Sequence, residues 1–89
     1  MNAIVTVIGK DRVGIIAAVC IKLAGMNVNV LDLSQTVLQG KFTMVMAVDI
    51  SQATSNFSEI RNALLELGNE INMSIRIQRE EIFDAMNNI

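Results

Sequence analysis

A seven-residue turn between two apolar runs constrains the fold of this chain most. Residues 9–15 read Gly-Lys-Asp-Arg-Val-Gly-Ile; an Ile- and Val-rich run over 3–8 precedes them, and an apolar run over 15–21 with helical spacing follows. This pattern predicts a strand, a tight turn and a helix. Glycine lets the backbone approach a neighbour closely, and a helix N-terminus presents free N–H groups and a partial positive charge. The turn is therefore a candidate site for a small anion such as a carboxylate.

The first half of the chain continues with a predicted hairpin. The first helix is expected over 13–24, because Lys22 lies in its last turn and Gly25 follows. A half-polar strand is expected over 28–38 and an apolar strand over 41–50. Gln39 and Gly40 between them are typical of a two-residue hairpin turn.

The second half predicts one more helix and one more strand. Asn56 and Glu59 have the spacing of a capping box, which indicates a helix start. Gly68 interrupts the apolar stripe of that helix, so its end is expected within a few residues of this glycine. The stripe consists of Phe57, Ile60, Leu64, Leu67 and Ile71. Beyond it, Met73, Ile75 and Ile77 alternate with polar residues, as in an edge strand.

The element order βαββαβ predicts an α+β fold. Strands one and three are apolar on both faces and are expected inside the sheet, with strands two and four at the edges. Right-handed crossovers then give an antiparallel sheet of order 4-1-3-2 with two helices on one face, the ferredoxin-like sandwich. We expect one domain over 1–89, with a core of 2–79 and a short C-terminal helix in 80–89. That tail carries an apolar stripe, and it is expected to cover the open sheet face or to reach a second subunit. The stripe is Ile82, Met86 and Ile89, with Phe83 beside it.

Composition narrows the function. The chain is 52% hydrophobic over 89 residues, more than one small core needs, so we expect a homo-oligomer, a dimer or a tetramer. A net charge of −2 and the lack of Tyr and Trp disfavour nucleic acid. The apolar run over 15–21 is far shorter than the ~20 residues of a membrane span. One cysteine and an N-terminus without a basic region favour the cytoplasm. No histidine is present, which excludes His-dependent catalysis.

Three chemistries known on this kind of fold can be compared with the residues. A thiolate metal site needs a Cys pair in the first turn, which has none, so we expect no metal and no cofactor. RNA binding on the central strands needs stacking aromatics, and only Phe42 is available. An acyl-phosphate hydrolase needs an arginine in the first loop and an asparagine that positions water. Arg12 with Asn27 or Asn29 meets that need only weakly, so we expect no enzyme.

A second short motif narrows the range of protein families that the sequence resembles. The turn over 9–15 and its helix are followed by Gly-Met-Asn-Val at 25–28, at the start of the second strand. In this order and spacing the chain resembles the ACT domain, a regulatory amino-acid-binding module, over about residues 2–79. With its tail it resembles the small bacterial stand-alone ACT proteins, which are related to the ACT domains of glycine-cleavage transcriptional repressors.

The resemblance implies a binding site shared by two copies of the domain. In ACT domains that bind amino acids, the ligand lies between the first turn of one domain and strand two of the other. Asn27 would meet the amino or the carboxyl group of the ligand, and the first-turn wall would come from Asp11, Arg12, Val13, Gly14 and Ile15. Serine-binding members tend to have an amide where Asp11 stands and a histidine near Gly9. The identity of the amino acid is therefore not transferred.

Each of these residues also has a structural interpretation. Asp11 could be the N-cap of helix one. Lys10 and Arg12 could be solvated surface charges, and Asn27 could cap the turn into strand two. Gly14 could serve only to let helix one pack on the sheet. Cys20 is expected to be a small buried apolar residue, and Glu80 and Glu81 a solvated helix start.

The sequence therefore predicts a non-enzymatic regulatory module that binds an amino acid or similar metabolite at a subunit interface. The alternative is a structural adaptor that dimerises and docks on a larger regulator or enzyme, through strand two or the tail.

Overall fold

A computed structural model describes residues 2–86 of the chain. Four strands and three helices follow one another in the predicted order. They are β1 (Asn2–Lys10), α1 (Ile15–Gly25), β2 (Asn29–Leu38), β3 (Lys41–Asp49), α2 (Phe57–Ile71), β4 (Met73–Arg79) and α3 (Glu80–Met86).

The four strands form one sheet with the order β2-β3-β1-β4. All neighbouring strands are antiparallel, and Val5 of β1 lies opposite Met46 of β3 and Ile77 of β4. The predicted order 4-1-3-2, read from the other edge, is confirmed. The two apolar strands are central because each must be covered on both sides by neighbouring strands and on one face by helices.

The core lies between one face of the sheet and the helices α1 and α2. Every second residue of β1, β3 and β4 is buried on this face, as the period of two in a strand requires. The helices add Ile15, Val19 and Leu23 from α1, and Ile60, Leu64 and Leu67 from α2. Val28, just before β2, also belongs to the core. The strands contribute Ala3, Val5, Val7, Phe42, Met44, Met46, Val48, Met73, Ile75 and Ile77.

Helix α2 begins and ends through local chemistry. The predicted capping box is confirmed: the Glu59 backbone N–H donates to Asn56 Oδ1, and the Asn56 N–H donates to Glu59 Oε1, both at 2.9 Å. Gly68 does not end the helix, which continues to Ile71. A Cβ at Gly68 would stand 2.6 Å from the backbone oxygen of Met73. The glycine is therefore explained by close packing of α2 against the start of β4.

Strand β2 contains an irregularity that its sequence does not reveal. Its register with β3 shifts between Val30 and Asp32, and Leu31 forms a bulge that is 50% exposed. Leu33 on one side of the bulge pairs with Met46, whereas Asn29 on the other side pairs with Asp49. If Leu31 were paired within a regular ladder, Asn29 would stand one position further along β3, opposite Ile50.

The second sheet face is bordered by α3, which follows β4 without a loop. This helix contacts β1 and β4. Its last described residue, Met86, lines a groove with Thr6, Ile8 and Arg76 of the open face, and Met86 Sδ accepts a 3.4 Å hydrogen bond from Gln78 Nε2. The tail helix thus lies at the open face, one of the two predicted arrangements. Ile89 of the predicted stripe lies outside the described residues.

Candidate functional site

The turn after β1 is tied by its backbone to the tip of the β2–β3 hairpin. The Asp11 N–H donates to the Gly40 oxygen at 2.8 Å. Gln39 and Gly40 both have positive φ, 53° and 77°, as a type I′ turn requires. This contact fixes where the chain leaves β1, so the hairpin tip supports the start of the candidate site.

Arg12 connects the same turn to the far end of α2. Its Nη1 donates to the backbone oxygen of Ile71 at 3.1 Å. The carbonyls at a helix C-terminus lack intrahelical partners and carry partial negative charge, so a guanidinium is favourable there. Arg12 is exposed but is more than a solvated charge, and with Lys10, Asp11 and Asn72 it borders a groove of about 300 Å³.

The end of the turn is built around a glycine with left-handed backbone. Gly14 has φ 90° and ψ 5°, and its oxygen accepts the first helical hydrogen bond, from Ala18, at 3.0 Å. Nothing lies within 4 Å of the position of an added Cβ. Gly14 is therefore favoured by its dihedral angles, in agreement with a conformational role, and not by close packing of its Cα against a neighbour.

The residues on either side of Gly14 face opposite environments. Val13 is 98% exposed, whereas the Ile15 side chain is 3% exposed and belongs to the core. Only the backbone of Ile15 can therefore meet a ligand. The N–H groups of the first turn of α1 have no partner within the helix, so the turn keeps the donors that an anion needs.

The interpretation of Asp11 as N-cap of α1 is wrong. The N-cap is Gly14, and no side chain of the described residues caps this helix start. The reason is geometric: the helix begins at Ile15, two residues later than predicted, because Gly14 turns the chain through the left-handed region. Asp11 is therefore an exposed carboxylate at the beginning of the turn.

Asn27 is held in the turn between α1 and β2. It has φ 57°, a conformation that asparagine tolerates better than most residues, and its Nδ2 donates to the Gln52 backbone oxygen at 2.7 Å. The Thr54 N–H donates to the Met26 oxygen at 2.9 Å close by. Asn27 therefore has the structural role that its position suggested, joining the turn to the loop after β3.

The predicted residues fall into two groups at opposite ends of α1. The residues 11–15 lie at its N-terminus, where β1 ends, and Asn27 follows its C-terminus, where β2 begins. Because α1 has 11 residues, these ends are separated by roughly 16 Å. One chain therefore does not bring Arg12 together with Asn27 or Asn29, as the hydrolase interpretation requires.

Two polar residues near Asn27, Asp49 and Gln52, were not singled out from the sequence, and Asn29 was considered only for the hydrolase. Asn29, Asp49 and Gln52 line a groove of about 470 Å³ together with Asn27, Ala24 and Val28. The Ser51 N–H donates to Asp49 Oδ1 at 2.9 Å, and this hydrogen bond lowers the pKa of Asp49 below its ordinary value of 3.8. The sequence carries no signal for this grouping, because the bulge at Leu31 decides that Asn29 pairs with Asp49.

Other chemistry is limited among residues 2–86. No group of three or more His, Cys, Asp or Glu side chains in this range could hold a metal ion. Cys20 is partly buried and packs against the core. No helix in the described part of the chain is long and apolar enough to cross a membrane.

The fold and the left-handed turn before α1 define the class of protein. The family model for the ACT domain matches residues 2–78, and the chain belongs to the ACT domain family. ACT domains are commonly regulatory modules that bind small ligands. The resemblance inferred from the sequence is thus confirmed.

Three comparisons describe the relatives of this chain. A UPF0237 protein of Listeria innocua is 53% identical over 89 residues, with 100% of both chains covered. The solved structure of an ACT domain protein from Streptococcus pneumoniae has a TM-score of 0.82 and 43% identity and covers 94% of each chain. A candidate glycine cleavage system transcriptional repressor has a TM-score of 0.76 at 21% identity, over 86% of this chain and 44% of that one. At that identity the likeness concerns the fold alone.

Proposed function

We propose that this chain is a non-enzymatic, cytoplasmic regulatory module that binds an amino acid or a similar small metabolite between two copies of itself. The observation that carries the proposal is the position of the two groups of site residues at opposite ends of α1. One small ligand cannot span them within a chain. Two copies with antiparallel α1 helices would place the Gly14 turn of one beside Asn27 of the other.

Two-fold symmetry would build two identical sites from a single type of interface. An isologous pair uses the same surface on both copies, so each pair of chains would contain two identical sites. The first-turn wall would come from Asp11, Arg12, Val13, Gly14 and Ile15, with the backbone N–H groups of the last two meeting the ligand carboxylate. Asn27 of the other copy would close the site.

Exposed apolar residues support self-association on this side of the molecule. Strand β2 is an edge strand of ten residues, and an open edge is a ready surface for pairing. Leu31, Val37 and Leu38 on it are 50%, 51% and 69% exposed, and Val13 at the turn is 98% exposed. Their burial between copies would account for the high hydrophobic content of the chain, in a dimer or a tetramer.

Ligand binding at such an interface would regulate by linkage. A ligand that contacts both copies binds the assembled state in preference to the separated one. The concentration of the metabolite would then set the association or the arrangement of the copies. A regulatory protein partner would then bind one arrangement of the copies in preference to the other.

A thermal-shift screen of the twenty amino acids, with sedimentation, tests this proposal. A ligand at one hundred times its Kd stabilises by about 2.7 kcal/mol, which is on the order of 10 °C for a domain of this size. We expect at least one amino acid to raise the Tm, and we expect a dimer or larger at micromolar concentration. A monomer with no shift at millimolar ligand would contradict the proposal.

One pair of variants locates the effect. Val13→Asp places a carboxylate in the turn without needing the left-handed backbone that makes Gly14 hard to replace, and it should abolish the shift. Leu65→Asp changes an apolar side chain that is 48% exposed on α2, away from the turn, and should retain the shift. Equal loss in both variants would argue against the turn as the binding element.

A structural adaptor is the second candidate, because α3 presents exposed apolar side chains. Ile82 and Met86, four residues apart, are 48% and 70% exposed. A partner docking on them would require the tail but no small molecule. Removing residues 80–89 discriminates: loss of a purified partner with an intact ligand response would favour a separate docking role, and loss of the ligand response would not.

A further inference from the structure

A different groove, of about 380 Å³, lies where the start of α2 meets the end of β4 and the start of α3. None of its described lining residues belongs to α1, to β2 or to the turn before α1, which carry the proposed interface site. The lining residues are Phe57, Arg61, Ile77, Gln78, Arg79 and Ile82. This groove is therefore separate from the site shared by two copies.

The charges around this groove favour an anion. Two guanidinium groups line it, whereas no Asp or Glu side chain does among the described residues. An arginine stays protonated at any physiological pH, and the positive end of α2 adds to the same field. Of the acidic residues close in sequence, Glu80 and Glu81 begin α3 and are exposed. Glu59 already accepts a hydrogen bond from the Asn56 N–H.

Arg79 is held in place by an aromatic ring rather than by an acceptor. Its guanidinium carbon lies over the Phe57 ring, 5.0 Å from the centroid, a distance at which a cation is attracted to the face of the ring. The contact restricts the side chain but supplies no oxygen to its N–H groups. Arg79 therefore presents oriented donors to the groove.

Arg61 lies one turn after Phe57 on α2, so the two side chains share a face of the helix. Its Nη2 donates to Ser58 Oγ at 3.5 Å, a long hydrogen bond that occupies one donor. Within residues 2–86, neither Arg61 nor Arg79 forms an ion pair with a carboxylate. The planar donor fork of a guanidinium matches the oxygens of a carboxylate or a phosphate.

The remaining lining is mostly apolar. Ile77 is 5% exposed and closes the bottom of the groove, whereas Ile82 on α3 is 48% exposed. Phe57 is partly buried and packs against the core. Apolar walls with a small number of convergent charged groups are typical of sites for small organic ligands.

We propose that this groove is a second binding site, for a small organic anion that carries an apolar group. The carboxylate or phosphate of the ligand lies between Arg61 and Arg79, and its apolar group lies against Phe57 and Ile82. The site is complete within one chain, so it goes beyond the proposed function and needs no second copy. Because Ile82 belongs to α3, an occupied site also holds the tail helix against β4.

Four matched probes test the groove in the full chain. Phenylacetate and phenyl phosphate combine an anion with an apolar ring, phenylacetamide has the ring without the charge, and acetate has the charge without the ring. NMR titrations in mildly acidic buffer, where the carboxylates remain ionised, would follow the Nε–H signals of Arg61 and Arg79. We expect at least one of the two aromatic anions to shift both signals to saturation. Phenylacetamide and acetate should each bind about tenfold more weakly.

Arginine variants locate the binding. Arg61→Gln and Arg79→Gln remove one charge each and keep an amide donor, and each should weaken binding of the aromatic anion by about tenfold. Arg76→Gln is the matched control, because Arg76 is an exposed arginine of the same strand that lines the groove on the open sheet face instead. Its affinity should equal that of wild type.

Three outcomes would overturn the inference. They are the absence of any shift with both aromatic anions at millimolar concentration, equal binding of phenylacetamide and phenylacetate, and an affinity that is unchanged in both Arg61→Gln and Arg79→Gln. All three arginines are exposed, so the variants are expected to fold, and equal urea midpoints would verify this. A loss of affinity as large in Arg76→Gln as in the other two variants would show only a general effect of charge and would count against the site.

Discussion

Arg12 Nη1 lies 3.1 Å from the backbone oxygen of Ile71, 59 positions later in the chain. The contact joins the candidate ligand turn to the last residue of α2. Since the Asp11 N–H also binds the Gly40 oxygen, the turn is held from two sides, by the hairpin tip and by a helix end. A turn held in this way keeps its backbone donors in one arrangement before a ligand arrives, which reduces the cost of binding.

Replacing Arg12 should weaken the fold modestly. Arg12→Ala removes one exposed hydrogen bond and a favourable charge at a helix C-terminus, so we expect the free energy of unfolding to fall by about 1 kcal/mol in urea denaturation. Arg12→Lys should recover part of the loss, because it restores the charge. Arg61→Ala, another exposed arginine, should change stability by less than about 0.5 kcal/mol. An equal loss at both arginines would argue against the Ile71 contact.

Replacing Gly14 should lower the free energy of unfolding because of its backbone dihedral angles, although no atom would clash with a new side chain. Gly14→Ala introduces no clash, yet it forces a side chain to adopt φ 90°, which costs roughly 1–2 kcal/mol. Gly25→Ala is the matched control, because its Cβ would also point into open space and its φ is not positive. We expect unchanged or slightly higher stability there. A neutral Gly14→Ala variant would mean that the turn relaxes easily.

The stability of the fold should depend on the charge of Asp49 in acid. Because its pKa is lower in the folded chain than its ordinary value of 3.8, the ionised carboxylate adds stability above that value. This contribution is lost as the pH falls through the folded pKa. Urea midpoints of wild type and Asp49→Asn should therefore converge as the pH is lowered below 3.8. A difference that stays constant through this range would exclude the Ser51 hydrogen bond as its cause.

The sequence predicted those features that depend on nearby residues or on strand polarity. Two of these features are local, so spacing alone identifies them: the capping box of Asn56 and Glu59 and the hairpin turn of Gln39 and Gly40. The sheet order followed from the burial that each strand requires. In the same way, the alternation from Met73 onwards predicted the edge strand β4.

The features that the sequence did not predict depend on long-range geometry. Nothing near Leu31 indicates a bulge, because the extra residue is accommodated only against β3. Asn29 therefore could not be paired with Asp49 in advance, and the groove was missed. The start of α1 was predicted two residues early, since Val13 continues the apolar pattern and only the dihedral angles of Gly14 exclude it from the helix.

The most direct test of a site shared by two copies is a complementation experiment. Val13→Asp damages the turn, and Asn27→Gly removes the amide while tolerating φ 57°. Each variant alone should fail to bind the amino acid that gives the largest thermal shift. In a mixed dimer, the intact turn of one chain would meet the intact Asn27 of the other, which restores one site.

Isothermal titration calorimetry on the two variants, separately and after subunit exchange, measures this restoration. The shared site predicts no detectable heat from either variant alone, and binding with wild-type affinity at reduced stoichiometry from the mixture. If subunit exchange is verified by mass spectrometry and the mixture still gives no heat of binding, the shared site is contradicted. Full binding by either variant alone would contradict it equally.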